Sequence, residues 1–213
     1  MSLSETLPQS LRSVVDDARA AVAGRPRHNL NLGYRRAIWA VFGPPMDSVT
    51  LTPTTGTKRR VALATLTARH VLPAWEGTWP DDRTPHHILD DAQGVLQGTH
   101  PREAARANRD RFWDRLEKLG HGDADIKVLS CAGYSAIATL NAALRDELFD
   151  PARIDYDVGD GAVDPYQSDA AYFAAIACAH GPVRSSSSDA DKRRQFWTWW
   201  LDEAVPAAWD VAE

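Results

Sequence analysis

The fold of this chain is decided by the stretch RRQFWTWWLDEAVPAAW, residues 193–209, which contains four of its eight tryptophans. At about 100° per residue, one broad arc of this stretch is apolar. The arc consists of Phe196, Trp197, Trp200, Leu201, Ala204, Val205 and Ala208. The opposite face carries Gln195, Thr198, Asp202 and Glu203. Because so wide an aromatic surface is unfavourable in water, we expect other helices to cover it and to place this helix in the core.

The rest of the chain predicts further helices. Apolar residues recur at helical spacing in segments that Gly and Pro residues separate. These segments are residues 4–23, 29–42, 57–75, 84–97, 123–148 and 169–179, and one that follows Thr99 and Pro101 and runs to 119. The last helix begins after Ser188 or Asp189. Residues 49–51 are the one stretch whose sequence suits a strand, but a single strand would have no partner to pair with. The sequence therefore predicts an all-α, single-domain bundle of about eight helices over residues 1–213, in which residues 1–28 supply an N-terminal helix at the periphery.

Composition restricts the classes of partner and compartment. The chain has 213 residues, of which 44% are hydrophobic and 25% are charged. Its formal charge of −5 disfavours nucleic acid as a partner, since phosphate binding needs a positive surface. Cys131 and Cys178 lie in Ala-rich apolar segments, which is typical of buried free thiols in a reducing compartment. No signal peptide and no run of about 18 apolar residues is visible, so we expect a cytoplasmic protein with no membrane partner.

Residues 149–168 interrupt the helical pattern and form an acidic loop. Four of its aspartates, Asp155, Asp157, Asp160 and Asp164, surround two glycines, and Arg153 is its one cation. The start of this run is similar to a calcium loop, but its glycine stands at the fifth place and no Glu closes it. Two interpretations stay open, namely a solvated surface loop and an acidic docking surface that steers a basic partner.

A possible metal site is formed by His86 and His87 together with Asp90 and Asp91. Each His lies four residues before an Asp, so each pair would share one face of a helix and could chelate a metal. A catalytic zinc ion needs three protein ligands, and the sequence offers no third cluster of comparable quality. No motif for a catalytic nucleophile or a phosphate loop occurs either. We therefore predict no catalytic residue, no metal and no cofactor, and retain a metal-dependent helical enzyme built on these four residues as the alternative.

Trp199 is the aromatic residue of the last helix that falls outside the apolar arc. It projects near Gln195, Asp202 and Glu203. Either the acidic loop or another helix covers it, or it is an exposed anchor for a protein partner, a position in which Trp is enriched. Arg193, at the start of the same helix, is either bonded to a neighbouring helix end or solvated.

Two stretches carry a resemblance to a known family. LPAWE at residues 72–76 is followed by DDRTPHHI at 81–88, and the last helix contains FWTWWLDEA at 196–204. Together they resemble the fifth immunity-protein family of bacterial polymorphic toxin systems. In that family a Leu-Pro-x-Trp-Glu turn precedes an Asp-x-Arg-Pro helix start, and a tryptophan-rich helix comes last. In this sequence Thr84 separates Arg83 from Pro85, which the family tends to place together.

The resemblance implies an all-α protein that binds a cognate toxin and neutralises it by occlusion, without catalysis of its own. Asp82 or Thr84 would cap the fourth helix, and Trp75 and Trp79 would fill the seam beneath it. Residues with these roles would hold the fold and would not form the toxin-binding surface. The candidate partner-binding residues are therefore Asp155, Asp157, Asp160, Asp164 and Trp199, while the toxin's identity and the oligomeric state stay open.

Overall fold

A computed structural model describes residues 7–121 and 123–211, and these residues contain helices and connecting loops but no strand. The helices are α1 (Gln9–Gly24), α2 (Leu32–Phe42), α3 (Thr55–Thr78), α4 (Thr84–Gln97), α5 (Arg102–Gly120), α6 (Ala124–Arg145) and α7 (Ala170–Cys178). The last helix follows as α8 (Ala190–Trp199), a π-helical segment (Trp200–Ala204) and α9 (Val205–Asp210). The all-α prediction is confirmed, and residues 4–6 of the first predicted helix lie outside the described residues.

Helix α6 lies at the centre of the bundle, because it packs against α3, α4, α5 and α7. Small side chains permit the close approach, since a Cβ atom on Gly133 would lie 2.9 Å from Cδ2 of Leu116 on α5. Two hydroxyl groups of α6 also bond to neighbouring backbones. Ser135 Oγ donates to the carbonyl of Ala170 at 2.9 Å, and Thr139 Oγ1 donates to the carbonyl of Ala64 at 3.1 Å. Helix α6 is thus bonded to both α3 and α7.

The last helix closes the core in the way that its periodicity predicts. All seven residues of the apolar arc are at most 2% exposed. The indole Nε1 of Trp200 donates to Oγ1 of Thr67 on α3 at 2.9 Å, so this buried donor has a partner. The helix widens to π geometry immediately before Pro206, where the amide of Val205 donates to the carbonyl of Trp200. In a regular α-helix the proline ring would clash with the carbonyl four residues earlier, and the wider turn makes room for it.

Helix α1 packs against α2 and the last helix. One face of α1 is buried there, and its buried residues are Leu11, Val15, Ala18 and Val22. These side chains belong to the same connected apolar cluster as the arc of the last helix.

Two local features depend on polar side chains that bond to the backbone. Residues 49–51 form a turn rather than a strand, because the Asp47 carboxylate accepts hydrogen bonds from the amides of Val49 and Thr50. At the start of α4, Thr84 is the first helical residue and not its cap. Asp82 Oδ1 accepts bonds from the amide of Thr84 at 3.0 Å and from its hydroxyl at 2.6 Å.

Candidate functional site

The acidic loop starts from a fixed point at the end of α6. Asp146 terminates the helix with φ 65°, and its carboxylate is almost fully buried. Arg60 Nε donates to it at 2.6 Å, and Thr57 Oγ1 and the amide of Met46 each donate at 2.7 Å. Burial alone would raise the pKa of Asp146, but the bonds from Arg60 hold it below its ordinary value. The loop therefore leaves the bundle from an ionised, fully bonded aspartate.

The first turn of α2 holds the middle of the loop. The amide of Gly33 donates to the carbonyl of Val158 at 3.0 Å, and Asn31 Nδ2 donates to the carbonyl of Tyr156 at 3.4 Å. The rings of Tyr34 and Tyr156 lie 4.8 Å apart. The backbones approach so closely at Gly33 that a Cβ atom there would lie 2.0 Å from the carbonyl oxygen of Asp155. Only glycine fits at this position without a shift of the loop.

Asp160 does not belong to the exposed acidic surface of the loop, although its sequence context predicts that it could. Its carboxylate is 15% exposed and forms an ion pair with Arg35, whose side chain is 1% exposed. Arg35 Nη2 also donates to Asp169 at 2.7 Å. Burial by itself would lower the pKa of Arg35, but the charges of Asp160 and Asp169 raise it overall. Asp160 is therefore turned inward, because it neutralises a buried guanidinium together with Asp169.

Three of the candidate aspartates, Asp155, Asp157 and Asp164, do lie at the surface. Within the described residues none of the three forms an ion pair. Asp155 Oδ1 accepts the amide of Asp157 at 2.9 Å, and Asp164 Oδ1 accepts the amide of Tyr166 at 2.8 Å. These backbone bonds fix the direction of two of the carboxylates while leaving their charge facing solvent. The loop thus presents negative charge on a rigid support, which is the arrangement that steers a cationic partner.

Trp199 is half-buried rather than fully exposed. Its indole stacks on the ring of His70 from α3, and Phe196 lies 6.0 Å away. Burial lowers the pKa of His70, and the nearby Glu203 opposes this effect in part. Trp199 also lines a shallow hollow on the outer face of the last helix. Arg194, by contrast, is exposed, whereas Arg193 is buried and donates to the carbonyl of Gly181 at 2.7 Å.

The four residues of the possible metal site do not converge. His86 Nε2 lies 2.7 Å from Glu76 Oε1, so this ring turns back toward α3. Asp91 accepts a hydrogen bond from Asn108 of α5 at 2.7 Å, while His87 and Asp90 face solvent. Across the described residues, no group of three or more His, Cys, Asp or Glu side chains could hold a metal ion. His86, His87, Asp90 and Asp91 therefore do not form the ligand cluster that the metal-dependent alternative requires.

Neither cysteine has the environment of a nucleophile. Cys131 and Cys178 are free, as the sequence predicts, but only Cys131 is buried, whereas Cys178 is partly exposed. Burial raises the pKa of the Cys131 thiol to about 12 and that of Cys178 to about 11. Both are thiols at neutral pH, and thiols are weak nucleophiles.

The part that α2 plays in positioning the loop was not predicted from the sequence. One signal was available: Arg35 stands three residues after Leu32 and three before Ile38, on the buried face of an apolar helix. A cation in that position requires a buried anion. The pattern does not say which anion, and Asp160 and Asp169 follow more than 120 residues later.

None of the helices in the described residues is long and apolar enough to cross a membrane. No curated protein matches the chain. The family model described as immunity protein Imm5 matches residues 15–207, which confirms the resemblance carried by the LPAWE stretch and the tryptophan-rich helix.

Proposed function

The chain belongs to the Imm5 family of immunity proteins, and from this premise we propose that it binds a cognate toxin and neutralises it by occlusion. The observation that carries the proposal is the family match, which extends from residue 15 to residue 207 and so includes α2 to α8 in full and part of α1 and α9. On this proposal the protein acts as a binding partner and performs no catalysis of its own.

The geometry of the acidic loop supports a docking role. Asp155, Asp157 and Asp164 are exposed and lack ion-pair partners among the described residues, while α2 fixes the backbone around Asp155 and Asp157. A rigid surface loses little conformational entropy on binding, and uncompensated charge accelerates association with an oppositely charged partner. We propose that these three aspartates contact a basic surface of the toxin, and that Asp160 supports them through Arg35.

Trp199 supplies a second candidate contact. Its indole is half-buried, so part of its surface is available to a partner while the His70 stack holds its orientation. A pre-ordered aromatic side chain is a typical anchor of a protein interface. We propose that its uncovered face takes part in the same interface.

We further propose that the protein acts in the cytoplasm of a bacterial cell that encodes the toxin in a polymorphic toxin system. The two free thiols are in keeping with a reducing compartment.

The test is protection in a cell together with binding in solution. The protein is co-expressed with the product of the adjacent toxin gene, and we expect growth to be restored and the two chains to co-purify. A charge-matched variant set, described in the Discussion, then tests the proposed surface. A folded protein that neither restores growth nor binds the toxin would refute the proposal. Protection without any complex would refute occlusion as the mechanism.

A further inference from the structure

A cleft of about 650 Å³ lies between the α1–α2 connection, the acidic loop, α7 and the segment that precedes α8. It is distinct from the exposed aspartates, and four arginines line it: Arg25, Arg27, Arg184 and Arg193. Its volume falls in the range of sites for small organic ligands, about 300–1,000 Å³.

Arg193 is a buried cation that forms no ion pair among the described residues. Its side chain comes from α8, and the residue is only 1% exposed. Nη2 donates to the carbonyl of Gly181 and to Oγ of Ser188, but Nε has no hydrogen-bond partner and no carboxylate lies within ion-pairing distance. Arg35 is equally buried and has two carboxylates. A buried guanidinium without a bonded anion is unfavourable, so this position favours a negatively charged ligand.

A second buried donor in the same cleft also lacks a partner. Trp197 lines the cleft at 1% exposure, and its Nε1 has no acceptor in the described part of the chain. Buried polar groups are nearly always hydrogen-bonded in folded proteins, so these two donors favour an acceptor group on a ligand in the cleft.

The charge at the cleft is strongly positive on a chain whose net charge is −5. Asp160 is the one carboxylate among the residues that line it; it forms an ion pair with Arg35, and its charge also acts on Arg193. Arg184 is exposed and has no bonded partner among the described residues. Arg27 donates through Nη1 to the carbonyls of Val183 and Ser185, at 2.9 and 3.1 Å, which brings a third guanidinium to the rim.

We propose that this cleft binds a small phosphoryl-bearing anion. Several guanidinium groups around one cavity suit a polyvalent oxyanion, because each can form paired N–H···O bonds to phosphate. A single carboxylate would leave most of the positive charge unneutralised. The phosphoryl group could belong to a free inorganic anion or to a metabolite, and the experiment below separates these sources. The inference concerns the isolated protein and does not depend on the toxin.

Isothermal titration of the full chain with pyrophosphate, at constant ionic strength, tests the proposal. We expect saturable binding of one anion per chain, and no saturable heat with acetate. ADP is titrated in parallel. Tighter binding of ADP than of pyrophosphate would assign the cleft to a phosphorylated metabolite, whereas equal or weaker binding would assign it to the free anion.

Substitutions at the cleft locate the binding. Arg184→Gln removes an exposed cleft charge, and we expect it to weaken pyrophosphate binding by about tenfold, the loss of one charge-assisted bond. Arg193→Met, which retains the apolar stem, should abolish binding. Arg12→Gln is the matched control, because it removes an exposed arginine on α1 that does not line the cleft. Since Arg193→Met removes bonds to Gly181 and Ser188, Arg184→Gln decides the question should that variant not fold.

The absence of saturable pyrophosphate binding would overturn the proposal, and so would equal weakening by Arg184→Gln and Arg12→Gln. A short oligoglutamate peptide that binds where pyrophosphate does not would also overturn it, because the cleft would then accept an acidic protein segment.

Discussion

The imidazole of His70 lies flat against the indole of Trp199, with ring centroids 3.6 Å apart and planes inclined by 15°. This stack joins α3 to the outer face of the last helix. It covers one face of the tryptophan and explains why a residue outside the apolar arc is half-buried. Trp199 is therefore neither a core residue nor a free anchor, and a partner can reach only the part that His70 leaves uncovered.

The stack makes stability depend on the charge of His70. Burial lowers its pKa from an ordinary 6.5, so the native state favours the neutral ring. The native state then binds fewer protons than the unfolded chain near pH 6, and the stabilisation present above pH 6.5 is lost as the pH falls. We expect urea unfolding to show that wild type loses more stability between pH 7.5 and pH 5.5 than His70→Gln does. His121→Gln, at an exposed position, is the control, and equal slopes for wild type and His70→Gln would contradict the prediction.

Replacement of Trp199 by alanine tests its proposed contact with the toxin. If its free face is buried in the complex, Trp199→Ala should weaken binding by about 2 kcal/mol, the cost typical of an interface hot spot. Trp209→Ala removes another half-buried indole from the last helix and serves as the control. Calorimetry with the purified toxin measures both. Losses of equal size would indicate a general effect on the helix and would remove Trp199 from the interface.

The charge of the acidic loop should govern the rate of association. A triple variant with Asp155→Asn, Asp157→Asn and Asp164→Asn is expected to slow association by about tenfold at low salt, and added salt should reduce the difference. The control carries the same change of net charge at three exposed aspartates outside the loop, with Asp81→Asn, Asp90→Asn and Asp114→Asn. Stopped-flow measurements compare the two. Equal rates in loop and control variants would exclude the loop from the encounter surface.

The sequence predicts which residues share a helix face, but it does not predict which distant residues pair with one another. The buried arc of the last helix follows from one segment, because side chains such as Phe196 and Trp200 share a face by helix geometry alone. Asp157 and Asp160 look alike in the sequence, yet one faces solvent and the other binds Arg35, which is 125 residues away. No local signal fixes such a pair. The sequence thus predicted the helices and the acidic character of the loop, but not which of its charges are available.

Glu147 makes stability depend on pH in the alkaline direction. Burial, together with the charges of Asp169 and Asp146, raises its pKa from 4.5 to about 8. The native state retains a proton that the unfolded chain releases, so stability falls as the pH rises from 4.5 through 8. Glu147→Gln imitates the protonated side chain, and we expect it to exceed wild type in stability at pH 8 by at least about 1 kcal/mol, since one pKa unit corresponds to 1.4 kcal/mol.

Thermal and urea unfolding at pH 6 and pH 8 measure the effect of Glu147→Gln. Glu103→Gln, at an exposed position on α5, controls for the loss of one negative charge. Because His70 changes the stability of wild type in the opposite direction, the effect of Glu147 is read from the difference between wild type and Glu147→Gln. A difference that is the same at pH 6 and at pH 8 would show that Glu147 is ionised in the native state.

A substitution at Gly33 tests whether the fixed position of the loop matters for toxin binding, because a side chain there would prevent the close approach of α2 to the loop. In Gly33→Ala the new methyl group would meet the carbonyl oxygen of Asp155 and the Cα of Tyr156, at 2.0 and 2.7 Å, and both are backbone atoms that cannot rotate away. We expect the loop to separate from α2, the free energy of unfolding to fall by about 1–3 kcal/mol, as for other overpacked sites, and trypsin to cleave after the exposed Arg153 faster than in wild type. Gly77→Ala is the control, because a Cβ atom there meets nothing within 4 Å.

If the rigid position of the aspartates matters for docking, Gly33→Ala should also slow toxin association although every loop charge is retained. Association at the wild-type rate, with faster cleavage after Arg153, would show that docking requires the charges but not their fixed arrangement on α2.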